Sequence, residues 1–231
     1  QGKMTGELRS RIAKCMDATE LEDIYLPYKP KRRTRAEVAR TKGLEPLAKM
    51  LMAQNGGGVE SMAMRFVKGE VRSADEALQG ARDIIAEWVS ESERSRNALR
   101  NIFAREARIT SKVVAGKEDE GDKYRDYFNW SEPLSRCSSH RMLAIRRGEN
   151  EGFLRVTIAP ADDAHAIERL ERQYVRTSGE CAEQVALAVR DGYKRLLRPS
   201  IETEFAHSSK QKADEEAIRV FAANLKQLLL A

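Results

Sequence analysis

Ser73-Ala74-Asp75-Glu76-Ala77-Leu78-Gln79-Gly80-Ala81-Arg82-Asp83-Ile84-Ile85-Ala86-Glu87-Trp88 decides the fold class. Ser73 and Glu76 make a capping box: the serine oxygen accepts from a backbone N–H of the first turn, and the glutamate reaches back. Behind it, Ala77, Ala81, Ile84, Ile85 and Trp88 recur at spacings of three and four. That is one apolar face of a helix that must be buried.

The same pattern runs outward on both sides. Toward the N-terminus, Thr5 to Met16 reads as a helix with Leu8, Ile12 and Met16 on one side. Thr19–Glu22 is a second capping box, opening a short helix that ends before Pro27, and Thr34–Glu37 is a third. Between them, residues 25–33 hold two prolines and read as extended. Gly43 ends the helix that Thr34 opens, and Pro46 starts another carrying Leu47, Met50 and Leu51. The Gly56–Gly58 loop precedes a helix over 59–67.

Toward the C-terminus, helix resumes near Ser92 and buries Leu99, Ile102 and Phe103. Further helices are expected over 139–147, from Asp162, and over 181–197. Pro199 opens a long helix toward Leu230, which would span roughly 48 Å. Its apolar stripe is good at Ile201 and Phe205, and again at Ile218, Phe221, Leu225 and Leu228. The stretch between is polar all round, the pattern of a helix that bridges two packed bodies. Phe153 to Ile158 is the best strand. It must pair with 109–114, whose β-branched content leaves it open between helix and strand, or with something outside the chain.

The fold class expected is therefore mostly α. It comprises a multi-helical N-terminal region, a long bridging C-terminal helix and at most one or two short strands. A linear division places a helical bundle at 1–115, a second helical lobe with the strand at 116–198, and the long helix at 199–231.

Charged residues make up 33% of the 231 and aromatics 6%, which suits long helices with solvated faces over a Leu/Ile/Val/Ala/Met core. The three cysteines, Cys15, Cys137 and Cys181, are odd in number and far apart, which argues against a disulfide framework and for a reducing, cytoplasmic setting. No apolar run would span a bilayer and no signal peptide is visible, so no membrane is expected as a partner. The chain starts at Gln1 and stops at Ala231 in the manner of a piece cut from a longer protein.

The net charge of +5 is mild, so clustering decides whether it matters. Lys29, Lys31, Arg32, Arg33, Arg35, Arg40 and Lys42 are opposed within their stretch only by Glu37. Held out in water, they would meet phosphates and release counterions; tied to carboxylates elsewhere, they would not. Arg141, Arg146 and Arg147 form a second candidate patch, whose alternative is pairing with Glu149 and Glu151. Residues 38–44 resemble the turn of a helix-turn-helix. However, Lys42 stands where a core residue is usual, and the next helix opens with Glu45 and Pro46, so a plain helical hairpin is the competing reading.

Catalysis finds little support. Ser139 and His140 are adjacent, about 100° apart on a helix, and cannot form a productive pair, so Ser139 reads as a cap. Cys137 and His140 have ligand-like spacing without a second pair. The acids Asp122, Asp126, Glu149, Glu151, Asp162 and Asp163 show no convergent spacing. No enzyme activity, cofactor or metal is expected.

Residues 21–35, from Leu21-Glu22-Asp23-Ile24-Tyr25-Leu26-Pro27-Tyr28 to Arg35, strongly resemble the signature of the Tex family of bacterial transcription accessory proteins. Gly43-Leu44-Glu45-Pro46-Leu47-Ala48, residues 76–87, Lys123-Tyr124-Arg125-Asp126-Tyr127-Phe128, residues 139–144, Arg147–Gly152 and Arg198-Pro199-Ser200-Ile201-Glu202 extend the resemblance over nearly the whole chain. It departs at Cys137-Ser138, where the family carries a proline. The resemblance implies an N-terminal helical region with a helix-turn-helix-like element, followed in the family by ribonuclease-H-like, helix-hairpin-helix and S1 RNA-binding domains that are absent here. It implies RNA or DNA, the transcription machinery with RNA polymerase, and the downstream domains as partners. Two functions follow as expectations: a non-catalytic nucleic-acid-contacting scaffold, or a purely architectural module that exposes apolar surface to its neighbours.

Overall fold

The computed structural model describes residues 4–29 and 34–230. In chain order these form α1 (Gly6–Lys14), α2 (Ala18–Tyr25), a 3-10 turn (Leu26–Tyr28), α3 (Arg35–Thr41), α4 (Glu45–Ala53), α5 (Val59–Met64), α6 (Ala74–Glu91) and α7 (Glu93–Glu106). There follow β1 (Ala107–Val113), β2 (Asn129–Pro133), α8 (Ser139–Asn150), β3 (Leu154–Pro160), α9 (Ala164–Tyr174), α10 (Glu180–Gly192) and α11 (Arg198–Leu230). The fold is mostly α with a long C-terminal helix, as the periodicity requires. No helix of the described residues is long and apolar enough to cross a membrane.

Side chains set several helix starts. Thr5, Thr34 and Ser73 accept from the N–H groups of Leu8, Glu37 and Glu76. The start expected at Thr19 moves to Asp17, whose carboxylate accepts from both Thr19 and Glu20; an acid serving two donors at a positive helix end outcompetes a hydroxyl two residues later. Residues 26–28 make a 3-10 turn rather than extended chain, since Pro27 sits in its first turn, where its missing N–H has no partner to lose. Met16 does not complete the first stripe: α1 ends at Lys14 and Met16 is exposed.

The chain divides into two compact units, Gln1–Ala98 with Ala164–Leu197, and Leu99–Asp163 with Arg198–Ala231.

In the first unit α6 is central, packed by α3, α4, α5 and α10. Ala77, Ala81, Ile84, Ile85 and Val89 are buried, as are Leu44, Leu47, Leu51, Val185 and Val189. Gly192 of α10 lies so close to α6 that a Cβ there would stand 3.0 Å from the Ala86 carbonyl oxygen. Arg96 Nε donates to the buried Asp23 at 2.6 Å. Gln54 ends α4 in the left-handed region, φ 54°, and its buried amide serves α9: it donates to Tyr174 O at 2.7 Å and accepts from Arg176 N at 2.9 Å.

In the second unit the strands form an antiparallel sheet in the order β2-β1-β3. β3 thus takes the 109–114 partner that the sequence offered it. β2 is an additional strand beyond the one or two expected: Asn129–Pro133 is short, ends in proline and lacks apolar alternation, and it forms because β1 presents a second open edge. Ile109, Ser111, Leu154 and Ile158 are buried, and α8 and α11 pack onto β3. Glu202 of α11 accepts from Ile158 N at 3.0 Å, which covers the β3 edge. Arg100 grips Glu204 through two bonds of 2.7 and 3.0 Å, and the Phe103 and Phe205 rings stand 5.5 Å apart.

A π-helical turn, Tyr193–Leu197, precedes α11. Pro199 explains it, because its ring clashes with the carbonyl four residues back and removes a donor; one wider turn absorbs both. Ile201 and Ala213 of α11 are buried. The second apolar stripe does not enter a packed body here: Ile218, Phe221 and Leu228 are 68%, 67% and 77% exposed.

Candidate functional site

The cationic strip resolves into distinct roles. Lys31, Arg32 and Arg33 lie outside the described residues. Lys29 is exposed and meets Glu22 at 3.3 Å, a solvated pair of the weak kind. Arg35 is exposed and makes no ion pair among the described residues, although its field reaches Asp83. Arg40 and Lys42 are different. Arg40 Nη2 lies 2.6 Å from Glu87 Oε1, with Glu37 at 3.4 Å and Glu45 at 3.8 Å. Burial works against its charge, yet the Glu87 and Glu37 carboxylates together raise the guanidinium above its ordinary pKa. Lys42 Nζ meets Glu76 at 2.7 Å, and that bond is the main reason the Glu76 carboxyl sits below the ordinary range. Arg40 and Lys42 therefore tie α3 and its C-cap to α6, and the sequence expectation that they stand open in water does not hold for them.

α3 and α4 are joined by Lys42-Gly43-Leu44, with Gly43 at φ +76°. Glu45 and Pro46 open the second helix, and Thr34 Oγ1 donates to Glu87, adding a second tie to α6. The geometry is that of two helices clasped to a third.

The second patch is also largely paired. Arg141 meets Glu132 at 2.6 Å and Arg146 meets Glu149 at 2.5 Å. Glu151 pairs with Lys123 at 2.6 Å. Arg147 is exposed without an ion pair among the described residues. Ser139 does not cap α8; the N-cap is Ser138, and Ser139 Oγ hydrogen-bonds to Glu216 instead. His140 Nδ1 lies 3.2 Å from Ser138 Oγ. Burial, with a hydrogen bond to Glu132, pushes the Cys137 thiol up to about 12. A neutral thiol is a poor nucleophile and a poor metal ligand. Among the described residues no group of three His, Cys, Asp or Glu side chains is arranged to hold a metal.

The cations that sequence reading passed over are on the sheet. Arg108 and Lys112 of β1 and Arg155 of β3 share one face with Thr110, Thr157 and Ser131, around a concavity of about 510 Å³. The signal was available in the alternation Arg108-Ile109-Thr110-Ser111-Lys112-Val113, but without the partner strands no second row of side chains could be placed beside it.

What these features define is a predominantly helical protein with a small polar-faced sheet. Residues 58–221 match the model described as Tex central region-like, and the chain belongs to that family. It is similar over its whole length to the transcriptional accessory protein Tex of Neisseria gonorrhoeae, at 40% identity across 31% of that protein. It is similar likewise to protein tex of Bordetella pertussis, at 36% identity across 31% of it. The S1 RNA-binding domain-containing protein 1 of Homo sapiens matches at 28% identity, across 24% of its length. The chain spans about a third of the length of the curated relatives it matches.

Proposed function

We propose that this chain is a non-catalytic helical framework within a nucleic-acid-binding transcription accessory protein, and that α11 is the element to which the rest of that protein attaches. The observation that carries the reading is the second half of α11. Ile218, Val220, Phe221, Leu225 and Leu228 are all exposed on a helix whose first half is packed. Water-exposed apolar surface forgoes about 25 cal/mol per Å² that a partner would recover, and contiguous apolar patches of this kind mark interaction sites. The family relatives are about three times as long as this chain, which supports further domains of the same polypeptide as the occupant.

Nucleic-acid affinity in this framework would fall to cations that carboxylates leave open or hold only weakly among the described residues, such as Arg35, Lys29 and Arg147. The relatives' names, a transcriptional accessory protein and an S1 RNA-binding domain protein, support RNA or DNA as the ligand and the transcription machinery as the setting. On this reading the α3–α4 pair is a helical hairpin rather than a groove reader, since Arg40 and Lys42 serve α6.

The test is hydrogen exchange over 214–230 in the 231-residue chain and in the longer polypeptide. Protection of Phe221 and Leu225 only in the longer form is expected, and it should be lost in Phe221→Asp/Leu225→Asp. Equal exchange in both forms would overturn the framework reading. Labelled RNA incubated with magnesium should remain intact.

A further inference from the structure

We infer that the polar face of the three-stranded sheet is a binding site for the phosphodiester backbone of nucleic acid, with Arg108, Lys112 and Arg155 as its cationic contacts. The choice of ligand rests on the reading of the chain as part of a nucleic-acid-handling protein; the site itself does not.

The register defines the face. Lys112 pairs with Arg155 on one side and Asn129 on the other; Thr110 pairs with Thr157 and Ser131; Arg108 pairs with Ala159 and Pro133. Three cations and three hydroxyls thus share a surface on which these rows place no carboxylate. Lys112 and Arg155 are exposed and, like Arg108, make no ion pair among the described residues. At the rim, Arg198 is closed off by Asp163 at 2.6 Å and adds little.

The Lys112–Arg155 pair is the telling feature. Like charges directly across an antiparallel pair destabilise it, by up to about 1 kcal/mol. A sheet selected for stability alone would set an acid against one of them, as Arg40 and Lys42 are set against Glu87 and Glu76. The repulsion disappears when a polyanion lies over the face.

Arg108 is oriented for such a ligand. Its Nε donates to Ser131 Oγ at 3.1 Å and its Nη2 to Ser131 O at 3.2 Å, which anchors the guanidinium and leaves the remaining fork donors to a phosphate. Arg108 and Lys112 lie four residues apart, about 13 Å along the strand, the axial length of about four phosphates of one nucleic-acid strand. No aromatic ring joins them on this face. Trp130 pairs in register with the buried Ser111 and so lies on the opposite side. Contact to phosphates without base stacking gives affinity without sequence preference.

The experiment is fluorescence anisotropy of the 231-residue chain with short labelled single-stranded RNA and duplex DNA, as a function of salt. Lys112→Gln/Arg155→Gln keeps two polar side chains, removes both charges and relieves the repulsion. It should bind roughly tenfold more weakly at low salt and lower the log–log salt slope by about 1 to 2. Its melting temperature should equal or exceed that of the parent, a combination that misfolding cannot produce. Binding and slope unchanged in this variant would overturn the proposal, whether or not the α11 variant Phe221→Asp/Leu225→Asp upholds the framework reading. Polyglutamate of matched charge binding as tightly as RNA, and lost in the same variant, would also overturn it and make the face a seat for an acidic protein segment. Weakening confined to Lys29→Gln/Arg35→Gln would place nucleic acid on the strip and likewise overturn it.

Discussion

The guanidinium of Arg40 on α3 donates to the carboxylate of Glu87 on α6 at 2.6 Å, with the arginine 21% and the glutamate 8% exposed. Thr34, the cap of the same short helix, donates to the other oxygen of Glu87. One carboxylate thus holds both ends of α3, a helix too short to persist alone. Removing one partner of such a pair leaves the other desolvated without compensation.

Glu87→Ala is therefore expected to lower the unfolding free energy by about 2–4 kcal/mol, and Arg40→Ala by at least as much, since it strands the more buried Glu87, whereas Arg40 without Glu87 keeps Glu37 and Glu45 nearby. Urea denaturation followed by circular dichroism measures both. Arg40→Ala should change oligonucleotide affinity by less than about twofold once folding is confirmed. A large loss of affinity with no loss of stability would return Arg40 to the role the sequence suggested.

That pair also shows which features were legible in the sequence. The caps at Thr34 and Ser73 were, because donor and acceptor lie within one turn. The buried stripe of α6 was, because a helix period needs no knowledge of its partner. The fate of the cationic strip was not: Glu76 and Glu87 sit tens of residues beyond Lys42 and Arg40 and approach only through packing of α3 on α6. The basic sheet face was half legible, since Arg108, Thr110 and Lys112 alternate, but Arg155 joins them only through the β1–β3 register. The exposure of Phe221 and Leu228 could not be read, since an apolar stripe demands a partner without saying whether this chain contains it.

Gln54 offers a sharper test of the first unit. Its side chain bridges the carbonyl of Tyr174 and the N–H groups of Arg176 and Thr177, at 2.7, 2.9 and 3.3 Å. Gln54→Ala keeps an unfavourable left-handed backbone and leaves those groups without their partner, so a loss of about 2–3 kcal/mol is expected. Gln54→Gly relieves the backbone and should lose about 1 kcal/mol less. Equal losses in the two variants would show that φ at this position carries no strain.

The approach of α10 to α6 sets a packing prediction. A Cβ on Gly192 would lie 3.0 Å from the Ala86 oxygen and 3.2 Å from its Cα. Both obstacles are backbone and cannot rotate away, so Gly192→Ala must push the helices apart. The expected cost is about 1–3 kcal/mol, although alanine is the better helix former. A stabilised variant, read by thermal melting, would contradict the close approach.

Asp83 gives a pH dependence with a definite sign. Burial raises its carboxyl above the ordinary range, outweighing Arg195 at 3.2 Å. A raised folded pKa means that the proton favours the native state. The contribution is complete below the ordinary carboxylate value of about 4, and it is lost as pH rises through the raised folded value. Asp83→Asn mimics the protonated form, and Arg195 keeps Asp191 at 2.6 Å. The variant's stability relative to the parent should therefore improve as pH rises above about 4. A relative stability that falls over that range would mean that the Arg195 attraction dominates instead.

Cys137 lies two residues before α8. Its thiol is pushed up to about 12, first by burial and then by its hydrogen bond to Glu132. Only about one molecule in ten thousand would carry the thiolate at pH 8, and the thiolate is the reactive species. The neutral thiol favours the fold below its ordinary pKa of about 8.5, an advantage lost as pH rises toward about 12. Cys181 is buried, and burial likewise raises its pKa. Iodoacetamide at pH 8 should therefore modify Cys15 first, and Cys137 and Cys181 only as the chain unfolds in urea, with sites assigned by peptide mass spectrometry. Modification of Cys137 in the native chain at the rate of Cys15 would mean that Glu132 and its surroundings do not seal the thiol, and a nucleophilic or metal-binding role for Cys137 and His140 would have to be reopened.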